Sequence, residues 1–453
     1  MRNNISFFLA LSFLAFSSIS FAQVSEAVKK NIKERVETGN NVSITVGFID
    51  GEKVDFFSYG KTSLENGTLV NENSVYEIGS ISKVFTTILL ADEVLKGTMS
   101  LDDPISKYLP ADIKVPERNG VVITLKDIAT HTSGLPRMPD NFTPADPDNP
   151  FKDYTVKQIY DFLFSYELTR DIGESYEYSN YGMGLLGHIL ELQTGKSYED
   201  LVVEKISNTY EMKDTRITFS DNMLAHLAKG HAFDEEAKNW DIISLAGAGG
   251  IRSTASDMVK FISANIEANS KLSKAMKLSH KTAYKSKDNS FEIGLAWHYA
   301  ADGDIIWHNG GTGGYRAFAG FNKTNHKGVV VLTNSTKSVD DIGLYLLGGL
   351  KELKALEKNE NPEEVEVSPE ILNSYVGVYQ LAPTFNITIT QKNNKLFLQA
   401  TNQPKFRIYP SSNTSFFLKV VDAYIEFNSD ENDTVNGLTL YQNGQVMPGK
   451  KVQ

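Results

Sequence analysis

Glu77-Ile78-Gly79-Ser80-Ile81-Ser82-Lys83 sets a serine and a lysine three positions apart where an extended segment gives way to a helical one. On a helix such positions share one face, about 5–6 Å apart at Cβ, so the Lys83 amine reaches the Ser80 hydroxyl and can take part in its proton transfer; Ser80 is therefore a candidate nucleophile. Chance supplies such pairs, and Ser58-Tyr59-Gly60-Lys61 is a second copy. Local patterning separates the two. Val42 to Ile49 alternates and is rich in β-branched residues, Asp50-Gly51 is a hairpin turn signal, and Val54 to Tyr59 continues extended. Ser58 and Lys61 thus sit on or just past a strand and diverge. After Ser80, by contrast, Ile81, Val84, Phe85, Ile88, Leu89 and Leu95 recur at helical spacing until Gly97. Ser80 opens a mostly buried helix.

Outward from this helix, Leu101 to Pro104 is a turn, Thr124 to Ile128 a short helix start, and Thr130-His131-Thr132-Ser133-Gly134-Leu135-Pro136 a loop. Arg137 to Pro150 is rich in Pro, Asp and Asn and reads as a long surface loop. Helices are expected at Val156 to Leu168, at Tyr181 to Thr194 and, after the small-residue turn Gly247 to Gly250, at Ser253 to Phe261. Trp307 to Phe321 and Val329 to Leu332 read as the arms of an antiparallel hairpin, and Asp341 to Leu356 as the last helix of this unit. Strands at both ends and helices in the middle predict an α+β fold, an antiparallel sheet flanked by helices with an all-helical lobe. Past the charged stretch Glu357 to Val367, six short strands lie between Tyr375 and Tyr441, the spacing of a small all-β barrel.

Composition bounds the function. The chain has 453 residues, 41% hydrophobic and 22% charged, as expected of a two-domain globular protein. A formal net charge of -11 argues against a nucleic-acid partner, for which a basic stripe is the expected footprint. The absence of cysteine removes disulfides, thiol nucleophiles and thiolate metal sites. Met1-Arg2, the apolar run Ile5 to Phe16 and Ser20-Phe21-Ala22 have the three-part form of a cleaved secretory signal, so the protein is expected to be exported, periplasmic or secreted, with no membrane anchor after cleavage.

Two further short patterns can serve an activated serine. Tyr178-Ser179-Asn180 offers a phenol to exchange a proton with Ser80 and an amide to hold a substrate carbonyl. His308-Asn309-Gly310 precedes Gly311, whose backbone N–H together with that of Ser80 can form an oxyanion hole. His226 and His231 have no third ligand at helical spacing and no HExxH motif beside them, so neither a metal nor a cofactor is expected. His131 reads as a structural loop histidine and Arg252 as a surface arginine.

In this order the motifs, with Leu101-Asp102-Asp103-Pro104-Ile105, His131 to Pro136, Tyr178 to Gly182 and His308 to Thr312, resemble the penicillin-recognising serine hydrolases: class C β-lactamases, D-alanyl-D-alanine carboxypeptidases and related esterases. The likeness spans Val42 to Leu356, and the tail resembles the β-barrel modules often appended to such hydrolases. The N-terminal pattern gives a signal segment 1–22 and the charged stretch a linker 357–367, between which the resemblance implies a β-lactamase-like hydrolase unit 23–356, with a barrel 368–453 after the linker. It implies Ser80 as nucleophile, Lys83 and Tyr178 as proton shuttles, an oxyanion hole of the Ser80 and Gly311 backbone N–H groups, and substrate binding by Asn180, His308, Asn309 and Gly310. His308 stands where the β-lactamases carry a lysine and Asn309 where they carry a threonine, which argues against efficient β-lactam hydrolysis. The expected function is acyl transfer on D-amino-acid peptides, peptidoglycan fragments among them, or on small esters and amides. The alternatives are a β-lactamase proper, or a penicillin- or peptidoglycan-binding sensor without turnover.

Overall fold

The computed structural model describes residues 23–453 apart from 233, 268–269, 357–361, 384, 402–404, 420–422 and 443–444. The signal segment 1–22 and the first part of the expected linker, 357–361, lie outside the described residues.

An eight-stranded antiparallel sheet runs in the order Lys53–Gly60, Ser43–Asp50, Lys327–Thr333, Arg316–Asn322, Ile305–Gly311, His298–Ala300, Glu292–Ile293, Tyr284–Lys285. Both ends of the unit meet in it, with Ile44 opposite Thr333 and Asp50 opposite Lys327. The strand Lys327–Thr333 is covered on both faces. Val329 and Val331 pack with Val28 and Ile32 of the helix Glu26–Glu37 and with Ile342 and Leu347 of the helix Asp340–Leu347. Val330 and Leu332 join the larger core, with Val259 and Ile262 of the helix Ala255–Ile266. Two-sided burial explains why this strand reads as a continuous apolar run rather than an alternating one.

The serine helix, Ser82–Lys96, is entered through a single 3-10 turn, Gly79–Ile81, and ends at Gly97 with φ 76°. Its residues from Ser82 to Ala91 are buried between the sheet side and the helical lobe. Leu95, expected on the buried stripe, is 50% exposed. The lobe contributes the helices Val156–Ser165 and Asn180–Thr194.

Four boundaries differ from the sequence reading. Trp307 to Phe321 is two strands, because Thr312 to Tyr315 turns the chain and Gly311 pairs with Arg316. The helix expected to run to Leu356 stops at Leu347, where Gly348 adopts φ 85° and caps it. The helix expected to reach Leu168 ends at Ser165, and Thr254 rather than Ser253 caps the next one, accepting from the Asp257 N–H. The helix Glu26–Glu37 was not foreseen.

The C-terminal strands close an eight-stranded antiparallel barrel. Two of its strands, Lys405–Pro410 and Gln445–Lys451, add to the six expected. Tyr379, Ile387, Ile389, Phe416, Ile425 and Leu438 form its core, and Tyr375 stacks on Phe427 with ring centroids 3.8 Å apart. The barrel meets the larger unit through charge: Arg407 pairs with Asp234 at 2.5 Å and Lys395 with Glu235 at 2.7 Å. Among the described residues no helix is long and apolar enough to cross a membrane.

Candidate active site

Ser80 lies on the 3-10 turn between the strand Val75–Glu77 and the serine helix, half-buried, with its hydroxyl at the surface of the core. The turn is locked from both sides. Ser82 Oγ donates to Gly79 O at 2.8 Å and accepts from Ile251 N–H at 3.0 Å. Gly79 holds φ 51°, and a Cβ there would stand 2.6 Å from Gly311 N. Only glycine meets both demands.

One turn further on, Lys83 has no exposed surface. Its Nζ is 2.9 Å from Ser80 Oγ and 2.6 Å from Ala248 O. Among the described residues no carboxylate pairs with it. Burial, helped by the positive charge of Arg137, therefore pushes its pKa well below the usual lysine range. Were it deprotonated, Nζ would still donate to Ala248 O and would offer its lone pair to the Ser80 hydroxyl.

Tyr178 is half-buried beside Ser80, whose hydroxyl acts on its phenol, and Lys83 Nζ sits 4.7 Å from the centre of its ring. Burial raises the phenol pKa more than the hydrogen bond from Ser80 and the charge of Arg137 lower it, so the phenol keeps its proton. The His131 ring packs 4.5 Å from the Tyr178 ring. His131 itself is held by the Ser179 N–H, which donates to its Nδ1 at 3.1 Å.

The strand Ile305–Gly311 forms the opposite wall. Gly310 packs so closely that a Cβ would fall 1.9 Å from Ile78 O and 3.0 Å from Ser80 N. The Gly310-Gly311 backbone is thereby pressed against the Ile78-Ser80 backbone. His308 is buried; its Nδ1 lies 2.5 Å from the carbonyl of Asn309 and must donate to it, leaving Nε2 as a buried acceptor with no hydrogen-bond partner among the described residues. Burial first, then His298 and Lys83, hold its pKa well below the usual histidine range. His298, 5.1 Å away between ring centres, is itself pushed down to about 4, chiefly by burial. Where the resembling β-lactamases carry a cation, this chain presents a neutral acceptor.

The structure thus brings Ser80, Lys83, Tyr178, His308, Gly310 and Gly311 together. Asn180 sits at the start of its helix with Nδ2 3.8 Å from Met138 Sδ. Asn309 points its amide to Asp340, 2.7 Å away. Arg252, expected at the surface, is 3% exposed and lies 3.5 Å from the equally buried Glu77, which also accepts from the Trp240 N–H at 2.8 Å. This knot anchors the strand that delivers Ser80; its members are too far apart in sequence to be paired by spacing. Arg137, whose position as the first residue of an expected surface loop concealed it, lies with its guanidinium 5.2 Å from the Tyr178 ring. Among the described residues no group of three or more His, Cys, Asp or Glu is arranged to hold a metal ion.

Comparison with known proteins gives the family of the chain. Residues 28–348 match the family model described as Beta-lactamase, and residues 361–451 match a Domain of unknown function (DUF3471). The chain is 32% identical over 304 residues to the D-alanyl-D-alanine-carboxypeptidase/endopeptidase AmpH of Escherichia coli, covering 63% of this chain and 78% of that one. It is 26% identical over 424 residues to a penicillin-binding protein of Bacillus subtilis, covering 87% of this chain and 91% of the relative. Among solved structures, a β-lactamase/D-alanine carboxypeptidase from Yersinia pestis, complexed with citrate, superposes with a TM-score of 0.61 at 26% identity, covering 69% of this chain and 95% of that one. The chain belongs to the Beta-lactamase family and is a serine hydrolase of the β-lactamase and D-alanyl-D-alanine carboxypeptidase type.

Proposed function

We propose that the protein is an exported, periplasmic or secreted acyl hydrolase that works through an acyl-enzyme on Ser80, with D-amino-acid peptides, peptidoglycan fragments among them, and small esters or amides as its substrates. The observation that carries the reading is the buried, carboxylate-free Lys83 amine 2.9 Å from Ser80 Oγ. Lys83 accepts the hydroxyl proton as Ser80 attacks the substrate carbonyl. The oxyanion forms between the backbone N–H groups of Ser80 and Gly311, donors of a kind each worth about 3 kcal/mol of transition-state stabilisation. Tyr178, a protonated phenol beside both groups, passes a proton to the leaving nitrogen or oxygen and regains one from Lys83. Water then attacks the acyl carbonyl and gives its proton to Lys83, and as the Ser80 Oγ–acyl bond breaks that proton passes to Oγ and the acid leaves. Asn180 and Gly310 line the substrate side.

β-Lactam hydrolysis is the second reading, and His308 and Asn309 argue for its being slow: one is a neutral acceptor, the other is held by Asp340. The test is turnover of a p-nitrophenyl ester, a D-alanyl-D-alanine peptide and a chromogenic cephalosporin by wild type and Ser80→Ala. Ester and peptide hydrolysis above cephalosporin hydrolysis, all lost in the variant, is the expected result. Stoichiometric acylation without release would instead favour a penicillin- or peptidoglycan-binding sensor.

A further inference from the structure

We propose that Arg137 is a specificity residue that binds a carboxylate carried on the acyl half of the substrate, which makes acyl donors with an anionic side group the preferred class; this rests on the acyl-enzyme reading above. The site offers few cations. Lys83 is committed to Ser80 and Ala248 O, and His131, His298 and His308 are all held neutral by burial. Arg316, near the Gly311 end of the strand, gives its Nη1 to the carbonyls of Thr312 and Tyr315 and faces the Asp340 charge. Arg137 is different. It is exposed, and among the described residues no carboxylate pairs with it, in a chain of net charge -11. Its guanidinium lies 5.2 Å from the Tyr178 ring, and its charge acts on Lys83, Tyr178, Tyr176 and His131 together.

Its backbone is fixed as firmly as its head is free. The Arg137 carbonyl accepts from the N–H groups of Asn180 at 3.0 Å and Tyr181 at 3.2 Å, so the residue is tied to the first turn of the helix that carries Asn180. That side of Ser80 is the one assigned to the acyl group, opposite the His308 to Gly311 strand. A planar guanidinium that pairs with no carboxylate among the described residues suits one there, and a charge-assisted contact of this kind changes affinity about ten- to a hundredfold.

The experiment compares two p-nitrophenyl esters with acyl chains of equal length, the anionic hydrogen glutarate and the neutral valerate, with Ser80→Ala as the blank. Because Arg137 also influences Lys83, the readout is the ratio of kcat/KM for the two esters, in which any effect on the shared chemistry cancels. Wild type is expected to favour the glutarate. In Arg137→Gln the ratio falls at least tenfold, chiefly through KM, and Arg137→Lys restores part of it. A ratio unchanged within twofold in Arg137→Gln, or a wild type that prefers the valerate, overturns the proposal. Failure of both esters to show Ser80-dependent turnover overturns the acyl-enzyme reading on which it stands.

Discussion

Gly310→Ala is the sharpest structural perturbation available at this site. The added Cβ would lie 1.9 Å from Ile78 O, where carbon and oxygen ordinarily approach no closer than about 3.3 Å. Roughly 1.4 Å must be found, and neither neighbour is a flexible side chain: Gly310 is paired in the large sheet with Ala317, and Ile78 leads through Gly79 into Ser80. The displacement therefore falls on the spacing between Gly311 N–H and Ser80 N–H. A misplacement of about 1 Å at reacting groups costs about a hundredfold, and loss of one oxyanion donor about a hundred- to a thousandfold. Gly310→Ala is expected to lower kcat/KM on a p-nitrophenyl ester by about that factor. Gly97→Ala is the control: Gly97 has φ 76° with no atom within 4 Å of the added Cβ, so the variant loses about 1 kcal/mol of stability while retaining wild-type kcat/KM. Kinetics with thermal melts on both variants decide the matter. A folded Gly310→Ala enzyme within threefold of wild type would refute the close apposition of the two backbones as the source of the oxyanion geometry.

Three further outcomes follow from the same geometry. Lys83→Met abolishes turnover but raises the melting temperature, because a buried amine without a carboxylate gives way to an apolar side chain. In the wild type, with the folded pKa of Lys83 depressed, the unfolded chain binds the extra proton between that depressed value and the usual lysine range; stability from this group rises with pH across the window, and Lys83→Met removes that slope, measurable by melts at several pH values. Arg137→Gln takes away a charge that disfavours Lys83 protonation, so the acid limb of the kcat/KM profile on the neutral ester moves to higher pH. A chain ending at Leu356 folds and keeps ester turnover, since the barrel and the catalytic unit bury separate cores and meet through ion pairs such as Arg407 with Asp234; an insoluble or inactive product would contradict this.

Most of the architecture was legible in residue patterns, and the exceptions have physical causes. The sheet was visible because Ser43–Asp50 alternates and Val329 to Leu332 is uniformly apolar, and the serine helix because its buried face repeats. The barrel strand Gln445–Lys451 was hidden by Pro448 and Gly449, which weaken a strand pattern yet are accommodated opposite Thr439 and Leu438. Lys405–Pro410 was hidden because Arg407 and Tyr409 turn outward to Asp234 on the other unit. At the site, Ser80 and Lys83 could be paired by helical spacing once the apolar pattern after Ser80 marked a helix there. Arg252 could not be read as buried, since its partner Glu77 is brought to it only by the pairing of Val75–Glu77 with Arg252–Thr254. Arg137 was masked by the proline-rich loop it begins, and only the three-dimensional position of Tyr178 gives it meaning.

The account rests on Ser80 being the residue that carries the acyl group, and intact-mass analysis after treatment with a fluorophosphonate tests this most directly. One adduct per chain, mapped by peptide digestion to Ser80, missing in Ser80→Ala and strongly slowed in Lys83→Met, is the predicted result. An adduct that persists in a folded Ser80→Ala protein, or a folded wild type that takes no label, would contradict it.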